Sequence, residues 1–78
     1  MKCHEAERAL RTLGFIQDAN TGTSHQQWRQ VRAGRLHKVT LACHRGEVQG
    51  NDVRSMIKQA GVTKEQWFAA AAGDLPAD

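Results

Sequence analysis

No apolar run in this chain approaches the ~18 consecutive residues that a membrane-crossing helix needs, so its 78 residues offer no candidate span. The opening stretch, Met1-Lys2-Cys3-His4-Glu5-Ala6-Glu7-Arg8, turns polar and acidic where a secretory leader would be apolar, and the expected compartment is the cytoplasm. There is a single proline, and there are no internal repeats and no linker-like stretch. The two cysteines, Cys3 and Cys43, are too few for a disulfide framework; in a cytoplasmic chain they are expected as free thiols. A phosphate-cradling glycine loop, Gly-x-Ser-x-Gly and Cys-x-x-Cys are all missing. Carboxylates are scarce in the middle: residues 25–58 hold only Glu47 and Asp52, which argues against a carboxylate-bound magnesium ion.

What remains is an ordinary globular composition, 40% hydrophobic and 24% charged. A chain of this length forms one small domain over residues 1–78, with residues 74–78 expected as a loose tail. Such a domain buries only ~60% of its unfolded surface and is marginally stable. Charge is unevenly spread. Residues 25–58 carry seven basic groups (Arg29, Arg32, Arg35, Lys38, Arg45, Arg54, Lys58) against two acidic ones, while the rest carries four basic and six acidic. Basic charge gathered in one stretch favours a polyanion partner; a solubilising surface is the competing reading.

Ala6, Ala9, Leu10 and Leu13 repeat at i, i+3, i+4, i+7 and predict a first helix, with Gly14 as its stop. Phe15-Ile16 begins a short strand, and residues 18–23 are turn chemistry. Ser24–Arg32 and Arg35–Cys43 read as a hairpin around Ala33-Gly34. With a two-residue loop, Trp28 faces Val39, Gln27 faces Thr40, Arg29 faces Lys38 and His25 faces Ala42. Trp28, Val39 and Leu41 then share one face, with Gln26 its weak member, while His25, Gln27, Arg29, Lys38 and Thr40 share the other. A slip of one residue would mix the faces. Ala-Gly is a poorer turn than Asn-Gly, so a longer loop stays open.

Asn51 is the expected N-cap of a second helix, with Asp52 in its first turn, Val53, Met56, Ile57 and Ala60 as its stripe and Gly61 as its stop. Thr63-Lys64-Glu65-Gln66 forms a capping box, with Val62 and Trp67 as a hydrophobic staple, and opens a short third helix running to Gly73. Trp67 and Phe68 are expected to pack, though one of them could stay exposed for a partner. The expected class is α+β: a three-stranded antiparallel sheet with both main helices on one face. The opposite face, polar, basic and bearing His25, is where chemistry is expected.

Histidine suits one metal-free reaction of RNA. The substrate's 2′-hydroxyl attacks the adjacent phosphate, a base of near-neutral pKa takes its proton, an acid protonates the leaving 5′-oxygen, and cations stabilise the phosphorane. DNA lacks that hydroxyl and would not be cut by this route. Among His4, His25, His37 and His44, His25 is the candidate base, Arg29 and Lys38 would hold phosphate, and His44 could be a second acid/base or an RNA contact. The plainer reading makes all four ordinary surface histidines. Zinc held by Cys3-His4, Cys43-His44 and His25 is disfavoured: neither pair has metal-ligand spacing, and Cys43 shares parity with the core residues Val39 and Leu41. No metal and no cofactor are expected.

Four stretches resemble the HicA family of bacterial toxin–antitoxin systems, small mRNA interferases also called YcfA-like proteins. The helix ending Leu13-Gly14-Phe15 is similar to the family's N-terminal helix and its entry to the sheet. Gly22-Thr23-Ser24-His25 resembles its Gly-Ser-His signature, with one residue inserted or the glycine displaced. Val39-Thr40-Leu41-Ala42-Cys43-His44 resembles its strand Val-Thr-Val-Pro-x-His. The stretch from Val53 to Thr63 (VRSMIKQAGVT) resembles its second helix, usually Leu-Arg-Ser-Ile-Leu-Lys-Gln-Ala-Gly-Leu-Thr, and is the longest and most specific of the four. Together they span residues 5–68.

The resemblance implies a double-stranded-RNA-binding-domain-like αβββα fold and metal-independent endoribonuclease action on mRNA centred on His25. It also implies neutralisation by a cognate HicB-like antitoxin, expected to cover the His25 face; RNA contacts are expected on the open sheet face from Ser24, Gln27, Arg29, Lys38 and Thr40. DNA would be met only through that antitoxin. Two departures bear on substrate preference: Ala42 stands where the family has proline, and Gln26-Gln27-Trp28 replaces the aromatic or histidine-rich run after the signature. A non-catalytic RNA-binding module with the same basic face is the alternative function.

Overall fold

The computed structural model describes residues 1–18 and 25–74. In chain order the elements are α1 (Cys3–Thr12), β1 (Ile16–Gln17), β2 (His25–Arg32), β3 (Arg35–Ala42), α2 (Gly50–Ala60) and α3 (Lys64–Ala71). The strands form an antiparallel sheet in the order β1-β2-β3, giving a small α+β domain whose arrangement is compatible with αβββα. Among the described residues no helix is long and apolar enough to cross a membrane.

The hairpin has the register that its residue pattern predicts: His25 pairs with Ala42, Gln27 with Thr40, Trp28 with Val39 and Arg29 with Lys38. Its loop is the two-residue one. Ala33 at φ 52° and Gly34 at φ 75° are both left-handed, as a type I′ turn requires. An alanine there costs roughly 1–2 kcal/mol, which the packed face of the hairpin offsets. That face buries Trp28, Val39 and Leu41 against Ala6, Ala9 and Leu10 of α1 and Val53, Met56 and Ala60 of α2. Trp67, Ala70 and Ala71 of α3 close the same core.

Gln26, the polar member of the inner face, is accounted for. Its carbonyl oxygen accepts from Trp28 Nε1 at 3.1 Å, and its amide donates to Glu7 Oε2 on α1 at 3.2 Å. Arg11 lies over the Trp28 ring, 5.6 Å from its centroid. At the end of α1, Gly14 takes φ 94°, and Gln30 Nε2 approaches within 2.6 Å of where a Cβ would stand, on its way to the Leu13 carbonyl at 2.8 Å. Glycine is therefore required there by both backbone and space.

Several expectations are corrected. Cys3 and Cys43 are not free thiols but a disulfide with Cα atoms 5.9 Å apart. Cys43 follows the inward parity of Val39 and Leu41, and α1 begins beside it. The same junction is held by Cys3 N donating to the Gly46 carbonyl at 2.8 Å, Val48 N to the Met1 carbonyl at 2.8 Å, and Lys2 Nζ against Glu47 Oε1 at 2.7 Å. That last hydrogen bond raises the Lys2 amine above its ordinary pKa and lowers the Glu47 carboxyl. The second helix starts at Gly50 with Gln49 in the N-cap position, so Asn51 lies inside it; buried Val48 delivers the chain to the helix earlier than the polar residues suggest. The box that opens α3 is as read: Thr63 Oγ1 accepts from Gln66 N at 3.0 Å, and Gln66 Oε1 from Thr63 N at 2.8 Å. Asp74, expected in the loose tail, donates its amide to the Ala69 carbonyl at 2.9 Å; residues 75–78 lie outside the described residues.

Candidate functional site

Alternation along β2 and β3 carries His25, Gln27, Arg29, Lys38 and Thr40 to the face of the sheet opposite the helices, and all five are exposed. Cross-strand pairing brings them together in rows. Thr40 Oγ1 donates to Gln27 Oε1 at 3.1 Å, and Arg29 stands opposite Lys38. Ser24 and the turn before it fall outside the described residues. His44 lies two residues past Ala42, the pairing partner of His25. It is exposed and sits in a tight turn: its amide donates to the Glu47 carbonyl at 2.8 Å, and Glu47 N returns a bond of 2.9 Å. His37 has inward parity and packs by the end of α2, within 3.0 Å of where a Gly61 Cβ would be. It is apart from the outer face, as its position in the register requires.

The cations are not equivalent. Arg29 Nε is 2.7 Å from Asp18 Oδ1, so part of its charge is already neutralised. Arg32 has inward parity; its guanidinium donates to the carbonyls of Ala60 at 2.9 Å and Gly61 at 3.3 Å. There it complements the negative end of α2 and serves the fold. Lys38 forms no salt bridge among the described residues, and is the cation on this face most available to phosphate. Lys38→Gln should accordingly lower the slope of log affinity against log salt for single-stranded RNA by about 0.7, the value of one phosphate contact, and Arg29→Gln should lower it by less. Filter binding across a salt series measures both. Equal slopes for wild type and the Lys38 variant would remove Lys38 from the interface.

One half of this face is not polar. Ile16 (65% exposed), Val31 (71%) and Leu36 (57%) stand outward at the hairpin-turn end, where Val31 pairs with Leu36 and Ile16 with Arg29. With Gly14, Gln30 and Arg29 they line a shallow hollow of about 350 Å³, so the cation Arg29 borders the aliphatic end. The residue pattern contained this signal: the register that puts Arg29 outward also puts Val31 and Leu36 outward. The sheet face thus grades from an aliphatic end to a polar, cationic end bearing His25. Among the described residues no three His, Cys, Asp or Glu side chains converge on a point where a metal could bind, and the disulfide takes both sulfurs from the zinc set considered above.

No model of a known protein family matches the chain, and no curated protein matches it significantly.

Proposed function

We propose that this protein is a metal-independent endoribonuclease of the HicA type, with a double-stranded-RNA-binding-domain-like fold, acting on mRNA in the cytoplasm. The observation that carries the reading is the hairpin register, which sets His25 on an exposed face beside Gln27, Arg29, Lys38 and Thr40. Supporting it are the four stretches of sequence similar to that family and the concentration of basic residues in 25–58.

In this reading RNA lies along the polar half of the sheet, with phosphate at Lys38 and Arg29. His25 removes the proton of a 2′-hydroxyl. That oxygen forms a bond to the adjacent phosphorus, the bond from phosphorus to the 5′-oxygen breaks, and the leaving oxygen takes a proton from His44 or from water. The products are a 2′,3′-cyclic phosphate and a 5′-hydroxyl. The nucleophile comes from the substrate, so the protein supplies base, charge and surface. A HicB-like antitoxin would cover the His25 face, and the aliphatic end at Ile16, Val31 and Leu36 would give it an apolar footing that RNA does not use.

The test is incubation of purified protein with single-stranded RNA in EDTA, followed by end analysis. Cleavage that persists and leaves cyclic or 3′-phosphates is expected. Strict magnesium dependence or 5′-phosphate ends would replace the mechanism. RNA bound but left intact would make the protein the non-catalytic binding module.

A further inference from the structure

On the helical side, away from the His25 face, α2 and α3 diverge over a groove of about 560 Å³. Val53 and Ile57 of α2 and Phe68 and Ala71 of α3 form its apolar walls. Phe68 is 44% exposed there, whereas its neighbour Trp67 is completely buried. Arg54 and Lys64 also line the groove; both are exposed, and among the described residues neither makes a salt bridge. The acidic group at the groove, Glu5, has its carboxylate engaged by the Lys2 amide at 2.8 Å.

We propose that this groove is the docking site for an amphipathic helix of a protein partner, with an apolar stripe seated against Phe68 and Ile57 and carboxylates meeting Arg54 and Lys64. The lining comes from α2, α3 and the C-cap Ala72, with Met1 and Glu5 added from the N-terminal segment, and no residue of the sheet contributes, so the groove offers no edge for an extended strand. A ligand that fits must satisfy its own backbone, which a helix does. Two cations, Arg54 and Lys64, stand against the one carboxylate of Glu5, and this positive excess favours an acidic rim on the partner. A second copy of this chain docking groove to groove would set Arg54 and Lys64 against their own counterparts, and like charge disfavours it. The inference does not depend on RNA cleavage, and a partner bound here leaves the sheet face open.

The probe is a synthetic helical peptide with leucines at i, i+3, i+4, i+7 flanked by glutamates, compared with its lysine-flanked counterpart by fluorescence anisotropy on the full chain. The glutamate peptide should bind about tenfold or more tighter than the lysine one, and Phe68→Glu should weaken it by a similar factor. The double variant Arg54→Glu, Lys64→Glu should reverse the preference, a result that loss of folding could not produce. Equal affinity for the two peptides, or undiminished binding to Phe68→Glu, would overturn the proposal. Self-association in sedimentation that Phe68→Glu abolishes would assign the groove to a second copy instead, and competition by RNA for the peptide would assign it to nucleic acid.

Discussion

His25→Ala is expected to lower RNA cleavage by ~10²–10⁴-fold, the usual cost of losing a general base, which at 1.36 kcal/mol per decade is roughly 3–5 kcal/mol of barrier. The fold should be untouched. His25 is the first residue of β2, exposed on the outer face and outside the buried core, so truncation leaves the packing of Trp28, Val39 and Leu41 intact. RNA affinity should fall little, because Arg29 and Lys38, the cations proposed to hold phosphate, remain. His44→Ala should cost less, since water can protonate a 5′-oxygen whereas the 2′-hydroxyl needs a positioned base. An antitoxin should still bind the His25→Ala protein, and hydroxyl-radical footprinting of that complex should protect residues 25–44. Single-turnover cleavage measures the main effect. A wild-type rate in the alanine variant means His25 is not the base, and protection confined to α3 means inhibition does not act by covering this face.

The placement of His25 was legible in the sequence because a hairpin with one buried face has little freedom. Trp28, Val39 and Leu41 share a face only in pairings of this parity, and every such pairing carries His25, Gln27, Arg29, Lys38 and Thr40 outward; the two-residue loop then selects the register. Helix stripes and the Thr63–Gln66 box were legible for the same local reason. Features that depend on distant parts of the chain were not. The start of α2 is set by Val48 entering the core and bonding the Met1 carbonyl, which no local cap reveals. Arg32 reads as a surface cation until the end of α2 is brought to it. The exposure of Ile16, Val31 and Leu36 is hard to read for a different reason. Apolar residues ordinarily mark the core, and only the register shows that these three stand on the other side of the same sheet.

Breaking the Cys3–Cys43 disulfide is expected to lower the melting temperature by about 20 °C. The bridge closes a loop with a sequence separation of 40. Removing that constraint from the unfolded chain is worth about 4 kcal/mol on the loop-entropy relation. At roughly 0.05–0.15 kcal/mol per residue a domain of this length has only ~4–12 kcal/mol in all, and each 1 kcal/mol moves the midpoint of a domain of this size by about 4–8 °C. The fold should nevertheless survive at room temperature, because the same junction keeps the Cys3–Gly46 and Val48–Met1 backbone bonds and the Lys2–Glu47 pair. Circular dichroism melts of oxidised wild type, wild type with dithiothreitol, and the Cys3→Ser, Cys43→Ser double variant provide the measurement. The last two should coincide, well below the first. Midpoints within a few degrees of one another would show that the bridge adds little to the junction that the backbone already holds.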